Sequence, residues 1–433
     1  MDNPFKMKLL GQLEDIARRS LKRNVHKFAG GCYLAAGAHQ FNSLWTRDFC
    51  FSSRGLFRLG ELEIVHDQLE LIISNLQTRE RFAIVPKVMD SSSATRQCRC
   101  VSAVINKYFG RSPSVPLNAP FMPEYEDERG SIAIDSNLLV LLTAYDYFSR
   151  AGADDWWKKR LQDLVQLYRY YDRKHAKDVD GLIVQPPFSD WQDSARRTGK
   201  AFYTNLLYYL VSKRLAGFPE FGIVPERLAQ LRSAIEDRFF DRDLGIYRGL
   251  VSGGTTERQV RIYPQFSLEA NLLAIDLGYF DDDPDPYRSQ KVYAGLTASY
   301  LWRGRAELPG FVGFPAYPTD WIYWIVRVAR LPHYHDAMYW SWLIALSAKI
   351  AWKMEDYGEA SRIADRLAGL AKRDGSIVEV YRPTPDLAPF SSWLYDAERP
   401  FSWGAAFVLD LVGEMGGKPF DSTIVKSGAL VGK

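Results

Sequence analysis

The sequence predicts an all-α protein in which antiparallel helix pairs follow one another along the chain. Apolar residues recur at three- and four-residue spacing over most of the 433 residues. Strand signals are short and local, such as Gly181-Leu182-Ile183-Val184 and Gly245-Ile246-Tyr247. Connections between the helical segments alternate between short and long, as antiparallel pairing requires.

Amphipathic segments lie near residues 8–22, 46–58, 61–76, 136–150, 155–173, 200–215, 226–239, 266–278, 285–301, 316–330, 336–354, 358–373 and 402–415. Leu139, Leu142, Tyr145 and Phe148 show the helical period. Asp135-Ser136 is placed to cap the helix that starts at Asn137, and Gly375 sits where a helix should stop. The long connections fall near 77–133, 174–198, 240–264 and 374–400. Long ordered loops in compact domains usually carry function. No linker rich in Pro, Gly or Ser divides the chain, so one domain is expected over 1–433. The helix pairs share no obvious repeated motif, which argues against a solenoid with a sequence code.

Composition narrows the classes of function. Hydrophobic residues make up 47% and charged residues 25%, which fits a globular protein with a large core. A net charge of +3, spread evenly, argues against a nucleic-acid partner. No run of 18 apolar residues exists, so no membrane span is expected, and Met1-Asp2-Asn3-Pro4-Phe5-Lys6 lacks the basic-then-apolar order of a signal peptide. The cysteines are Cys32, Cys50, Cys98 and Cys100, and Cys98-Arg99-Cys100 matches neither a zinc knuckle nor a thioredoxin-type spacing. Reduced thiols and a cytoplasmic protein follow as expectations. No metal site is expected, because the six His are scattered and His333-Tyr334-His335 has no third ligand nearby. No glycine-rich phosphate loop precedes a helix, so no cofactor is expected either. Aromatic residues reach 14%, with 12 Trp. Large cores use such residues, and so do sugar sites, where rings stack on apolar C–H faces.

Two distant segments combine carboxylates with tryptophan. One reads Phe188-Ser189-Asp190-Trp191-Gln192-Asp193-Ser194-Ala195-Arg196-Arg197. The other is Val378-Glu379-Val380-Tyr381, followed by Phe401-Ser402-Trp403-Gly404. Two carboxylic acids meeting across an aromatic cleft are the minimum equipment for cutting a glycosidic bond, one protonating the leaving oxygen and the other activating water.

Four segments, in order, resemble the neutral/alkaline invertases, glycogen-debranching glucosidases and glucosidase-I-like hydrolases. They are Leu44-Trp45-Thr46-Arg47-Asp48-Phe49 with Gly60-Glu61-Leu62-Glu63; Ile134-Asp135-Ser136-Asn137; Trp191 to Gly199; and His333-Tyr334-His335-Asp336 with Tyr339-Trp340-Ser341-Trp342, leading into Glu379 and Trp403. The resemblance implies an (α/α)6 barrel and hydrolysis with inversion at the anomeric carbon. It departs at Lys200-Ala201-Phe202-Tyr203-Thr204, where invertases carry His and Glu, and in lacking accessory domains. A small α-glycoside, most simply an α-glucoside, is therefore expected in place of sucrose or a long polymer.

On this reading Asp193 is the general acid, its proton held by desolvation against Trp191. A helix cap or a salt bridge to Arg196 or Arg197 is the plainer alternative, and Asp190 is a rival for the same role. Glu379 is the general base, tucked between Ile377, Val378 and Val380; a surface strand glutamate is its alternative. Arg47 and Asp48 are expected to grip the sugar, or else to form a buried ion pair. Asp135, Asp190 and Arg197 are further candidates for sugar hydroxyls. Trp45, Trp191, Trp340, Trp342 and Trp403 are candidate stacking platforms, with at least one of Trp340 and Trp342 in the core. Tyr334 and His335 could meet the substrate or the attacking water. Competing classes are a sugar 2-epimerase using His333 and His335, a polysaccharide lyase, and a carbohydrate-binding protein without activity. The expected partner is a small carbohydrate, and the outer faces of such barrels can pair into a homo-oligomer.

Overall fold

The computed structural model describes residues 4–79, 81–90, 108, 121–127, 129–175, 180–252, 263–303, 308–310, 312–331 and 333–417. The Cys98-Arg99-Cys100 pair and most of the predicted 77–133 connection lie outside the described residues. Cys32 and Cys50 form no disulfide.

Fourteen helices are described, numbered in chain order. They are α1 (Pro4–Arg23), α2 (Thr46–Leu59), α3 (Leu62–Ser74), α4 (Ser136–Ala151), α5 (Asp154–Lys174), α6 (Phe202–Leu215) and α7 (Pro225–Phe239), then α8 (Leu268–Asp276), α9 (Arg288–Ala298), α10 (Tyr300–Arg303), α11 (Trp324–Val328), α12 (Ser341–Lys353), α13 (Tyr357–Asp374) and α14 (Ser402–Met415). They divide into two kinds. In α4, α6, α8, α12 and α14, runs of consecutive residues are buried, as in Phe202–Ser212 of α6 and all of α8. Such helices are apolar all round and pack on both faces. In α13 only one stripe is buried, Ala360, Ile363, Ala364, Leu367, Ala368, Leu370 and Ala371, and the opposite face is charged.

Contacts run from α2 to α4, α4 to α6, α6 to α8, α8 to α12, α12 to α14, and α14 back to α2. Around them, α3 packs on α2 and α4, α5 on α4, α7 on α6, α9 on α8, α13 on α12, and α1 on both α13 and α14. Gly404 shows how close the inner helices come, since a Cβ there would meet Ser341 Oγ of α12 at 2.2 Å.

Four of the six inner helices start alike. Two-residue strands Leu44–Trp45, Lys200–Ala201, Phe266–Ser267 and Tyr339–Trp340 lead directly into α2, α6, α8 and α12. A shared hydrogen-bonding device anchors the outer loops. Asn205 Oδ1 accepts from the Ile183 amide while its Nδ2 donates to the Ile183 carbonyl. Asn271 holds Tyr247 in the same way, Gln68 holds Leu34, and Asn137 holds Val85 and Ala83. Each satisfies two backbone groups that burial would otherwise strand.

At the far ends of these helices charges alternate in sign: Arg54 on α2, Asp146 on α4, Arg214 on α6, Asp276 on α8, Lys349 on α12 and Asp410 on α14. Arg54 lies 2.8 Å from Asp276 and 3.0 Å from Asp410, and Lys349 lies 2.7 Å from each. Arg214 reaches Asp146 at 3.5 Å. The group surrounds a small cavity of about 50 Å³. Burial by itself would raise the Asp276 and Asp410 carboxyls, but Lys349 and Arg54 outweigh it and hold both below their ordinary value.

The helix predicted over 316–330 is mostly absent. Pro315 and Pro318 lack amide donors, and the backbone bonds of this stretch go to the 194–196 loop instead: Arg196 donates to the Trp321 carbonyl and Tyr323 to that of Ser194. Only α11 and a single 3-10 turn at Thr319–Trp321 are helical. The helix predicted from 336 begins at Ser341, because Tyr339 and Trp340 pair with Tyr381 and Val380. Asp135 occupies the cap position of α4 without capping it, its carboxylate being taken by Arg47. Gly375 ends α13 in the left-handed conformation, as expected (φ 68°).

Replacing Lys349 with Met leaves Asp276 and Asp410 facing each other in the core. A loss of about 3–5 kcal/mol of stability is expected, read from urea unfolding midpoints. Both carboxyls are depressed in the folded protein, so the stability they contribute is present above their ordinary pKa and is lost as pH falls below it. The wild-type protein should accordingly lose stability in acid more steeply than the variant.

Candidate active site

A cavity of about 360 Å³ opens at the starting ends of the inner helices. Both carboxylates singled out in the sequence, Asp193 and Glu379, line it. So do Trp45, Arg47, Asp48 and Trp191, together with Tyr334, His335, Trp340 and Trp403.

Glu379 precedes the strand Val380–Tyr381 and is 1% exposed. The Tyr334 hydroxyl donates to Oε1 and the Tyr395 hydroxyl to Oε2, which also accepts the Glu398 amide at 3.0 Å. Burial raises the Glu379 carboxyl above its usual range, against the pull of these three donors. The surface-strand alternative for Glu379 does not hold, since the residue precedes the strand, is buried and lines the cavity. Behind it, the buried Glu398 accepts from the His39 amide at 2.8 Å and the Phe41 amide at 3.0 Å. This carboxylate ties the 37–41 loop, which supplies Gln40 and Phe41 to the cavity wall, to the segment that carries Glu379. Gly37 is required there, because a Cβ would meet the Glu398 carboxyl at 2.4 Å. Burial and the neighbouring Glu379 push the Glu398 carboxyl up to about 8.

Asp193 sits on the loop after Trp191 with its side chain 30% exposed toward the cavity. Its surroundings differ from the expectation of an aromatic, desolvating wall. Arg47 Nη1 is 3.4 Å away and Lys87 Nζ 3.5 Å. Burial alone would raise this carboxyl, but Lys87, Arg47, His335 and Arg129 together bring it down to about 2. In the free protein Asp193 is therefore an ionised carboxylate among cations. It makes no salt bridge to Arg196 or Arg197.

Asp48 responds in the opposite direction. Burial first, then Glu379 and Asp193, push its carboxyl up to about 7 against the adjacent Arg47. Three sequence candidates lie one layer behind the cavity and do not line it. Asp135 is fully buried, forks with Arg47 at 2.8 and 2.9 Å and accepts the Tyr203 hydroxyl at 3.0 Å. Asp190 and Arg197 form a buried ion pair at 2.5 Å, with Gln185 and the Gln192 amide completing the Asp190 shell. That pair holds the Asp193 loop in shape and places Asp190 out of reach of a ligand.

Four of the five candidate tryptophans form one cluster, while Trp45 meets Phe41 edge-on. Trp191 meets Trp340, Trp342 and Trp403 edge-on, at ring separations of 5.7, 5.3 and 5.9 Å. Trp342 is fully buried and Trp340 reaches the cavity, which matches the expected division. His335 stacks on Trp340 and shares a hydrogen bond with Ser194 at 2.5 Å. Burial lowers its imidazole to about 4, so it is neutral at neutral pH. His333 does not line the cavity and pairs with Asp336 instead.

Residues missed in the sequence include Lys87, Arg129, Tyr395 and Glu398. Lys87 and Arg129 fall inside the long 77–133 connection, where no motif marks them. Tyr395 had a weak signal in the aromatic run Trp393-Leu394-Tyr395. Among the described residues no group of three His, Cys, Asp or Glu is arranged to hold a metal, and no helix is long and apolar enough to cross a membrane.

No family model matches the chain, and no curated protein does. Solved structures do match. A rhamnosidase from Klebsiella oxytoca with rhamnose bound superposes with a TM-score of 0.61 at 15% identity, covering 96% of this chain. This chain spans only 65% of that one. A glycosidase variant in complex with glucose gives 0.61 at 16% identity, covering 97% of this chain and 100% of its own. A GH63 mannosylglycerate hydrolase from Thermus thermophilus in complex with Tris gives 0.61 at 15%, covering 92% and 99%. The chain shares the fold of these glycosidases.

The ionisation of Asp193 is directly measurable. Its carboxyl carbon, labelled and assigned against Asp193→Asn, should show no titration between pH 4 and 7 in NMR spectra of the free protein. In Lys87→Met its midpoint should move upward.

Proposed function

We propose that this chain is a glycoside hydrolase acting on a small α-glycoside, most simply an α-glucoside, with Asp193 as general acid and Glu379 as general base. The observation that carries the reading is the convergence of these two carboxyl groups, far apart in sequence, on one aromatic-walled cavity. A volume of about 360 Å³ suits one sugar and a short aglycone better than a polymer. The fold relatives support a small carbohydrate as ligand, two of those described having been solved with rhamnose or glucose. The circuit of contacts among the inner helices is, on this reading, the inner ring of an (α/α)6 barrel formed by a single domain.

In the reaction Asp193 gives its proton to the glycosidic oxygen as that bond breaks. Water attacks the anomeric carbon from the opposite face and passes its proton to Glu379, so the configuration inverts. Tyr334 and Tyr395 hold the Glu379 carboxylate in place and favour its charged form. Asp48 and Arg47 grip sugar hydroxyls at the cavity floor, while Trp45, Trp340 and Trp403 supply apolar contact. Asp193 rather than Asp190 takes the acid role, because Asp190 is committed to Arg197. An epimerase needs imidazoles as acid and base, whereas His335 is neutral and hydrogen-bonded and His333 lies away from the cavity.

Asp193→Asn and Glu379→Gln should each lower kcat by about 10²–10⁴-fold with the fold intact by circular dichroism. On an α-glycosyl fluoride, whose leaving group needs no proton, Asp193→Asn should retain far more activity than on an alkyl glycoside. The first-formed sugar, followed by NMR, should be the β-anomer; an α-anomer would contradict direct displacement. Tyr395→Phe removes a donor to the Glu379 carboxylate, so the acid limb of the kcat/KM profile should shift to higher pH.

A further inference from the structure

The small cavity at the far ends of the inner helices is lined by more N–H donors than the protein's own oxygens accept. Arg54 spends Nη1 on both Asp276 and Asp410, at 2.8 and 3.0 Å. Its Nε and Nη2 have no protein acceptor among the described residues; the Phe407 ring packs against the guanidinium at 4.1 Å and offers no oxygen. Arg214 meets one oxygen among the described residues, Asp146 Oδ1 at 3.5 Å. Lys349 gives two N–H groups to Asp276 and Asp410, at 2.7 Å each, and an ammonium carries three. All three side chains line the cavity and are largely buried, at 11%, 12% and 5% exposure. Charged donors held away from bulk water without an acceptor are costly, so such a group is set to receive one.

The balance of charge points the same way. At this end Arg54, Arg58, Arg150, Arg214 and Lys349 accompany Asp146, Asp276, Asp410 and Glu414, five cations to four carboxylates. Arg150 registers the excess. Burial lowers its guanidinium below the ordinary value, and Arg58 and Arg214 add to the shift against the pull of Asp146 and Asp410. The cations of the cavity wall come from α2, α6 and α12, alternate members of the circuit of inner helices. One negative ion among them would join three helices that do not follow one another around that circuit.

We propose that this cavity binds one small inorganic monoanion of chloride size, held by the unspent N–H groups of Arg54, Arg214 and Lys349. The volume of about 50 Å³ is a fraction of the roughly 300 Å³ that the smallest sites for sugar-sized ligands occupy, so a sugar or a phosphate ester is excluded. Asp146 and Asp276 line the same wall and repel a second negative charge, which favours a monoanion over sulfate or phosphate. The site lies at the opposite end of the helices from Asp193 and Glu379 and does not depend on the hydrolase reading.

Chloride is the probe, exchanged for gluconate at constant ionic strength and neutral pH, with thermal unfolding midpoints as the readout. The wild-type midpoint should rise by about 1–3 °C up to about 200 mM chloride and level off, as saturable binding to the folded state requires. Arg214→Met should remove most of that rise, whatever it does to the midpoint in gluconate. Asp146→Asn takes away the carboxylate that competes for Arg214, and should lower the half-maximal chloride concentration by about 3–10-fold. Crystals soaked in bromide should show its anomalous scattering inside the cavity, in contact with Arg54 and Arg214. Equal midpoints in the two anions overturn the proposal. So does a chloride-dependent rise that both variants leave unchanged, or bromide found only on the outer surface.

Discussion

The fork between Arg47 and Asp135 is the interaction on which the cavity depends. Arg47 lies in the first turn of α2 and Asp135 immediately precedes α4, so their paired bonds at 2.8 and 2.9 Å lock two neighbouring inner helices at the cavity end. A buried carboxylate with no exposure needs such a partner, because an unpaired charge in the interior costs several kcal/mol. The third nitrogen of the same guanidinium faces Asp193 at 3.4 Å. One side chain thus joins the cavity floor to Asp193 and, with Lys87, keeps that carboxyl ionised.

Asp193 and Glu379 are tuned in opposite directions by their settings. Asp193 is surrounded by cations and ionised; Glu379 is surrounded by hydroxyls and an amide, and burial lifts it. In the free protein these shifts run against the proposed roles, so the acid role of Asp193 requires a bound substrate to raise its carboxyl. At the opposite end of the helices, alternating charges bind Arg54, Lys349, Asp276 and Asp410 into a network without facing the substrate. The aromatic half of the cavity is built on the core itself: Trp403 stacks on Phe51 at 4.3 Å and on Trp342 at 4.7 Å, so a wall residue is also a packing residue.

Much of this was legible in the sequence, for physical reasons. Helical periodicity placed one-sided outer helices such as α13, which Gly375 ends, and apolar runs placed the inner ones. Asp193 stood out because it follows Trp191 by two residues, and Glu379 because apolar Ile377, Val378 and Val380 surround it. Three things were not legible. The 316–330 segment has a helical period, yet its Tyr323 amide and Trp321 carbonyl bond to the 194–196 loop, and long-range pairing overrode local preference. The amide clamps of Asn137, Asn205 and Asn271 repeat in space, but their partners come from loops of unrelated sequence, so no motif records them. Lys87 and Arg129 reach the cavity through the pairing of Val88–Asp90 with Leu44–Trp45 and Met122–Glu124. Only the folded chain brings that cationic wall to Asp193. Burial does act on Asp193 in the expected direction, but this wall outweighs it.

The most direct test of the central claim is a crystal structure of Asp193→Asn with an uncleaved α-glycoside in the cavity. The residue-193 amide should lie within about 3.2 Å of the glycosidic oxygen. Glu379 should stand on the opposite face of the ring, leaving room for one water, as a carboxyl separation of about 6.5–9.5 Å allows. A sugar bound with both residues on one face, or with Glu379 walled off from the anomeric carbon by its two tyrosines, would contradict the mechanism.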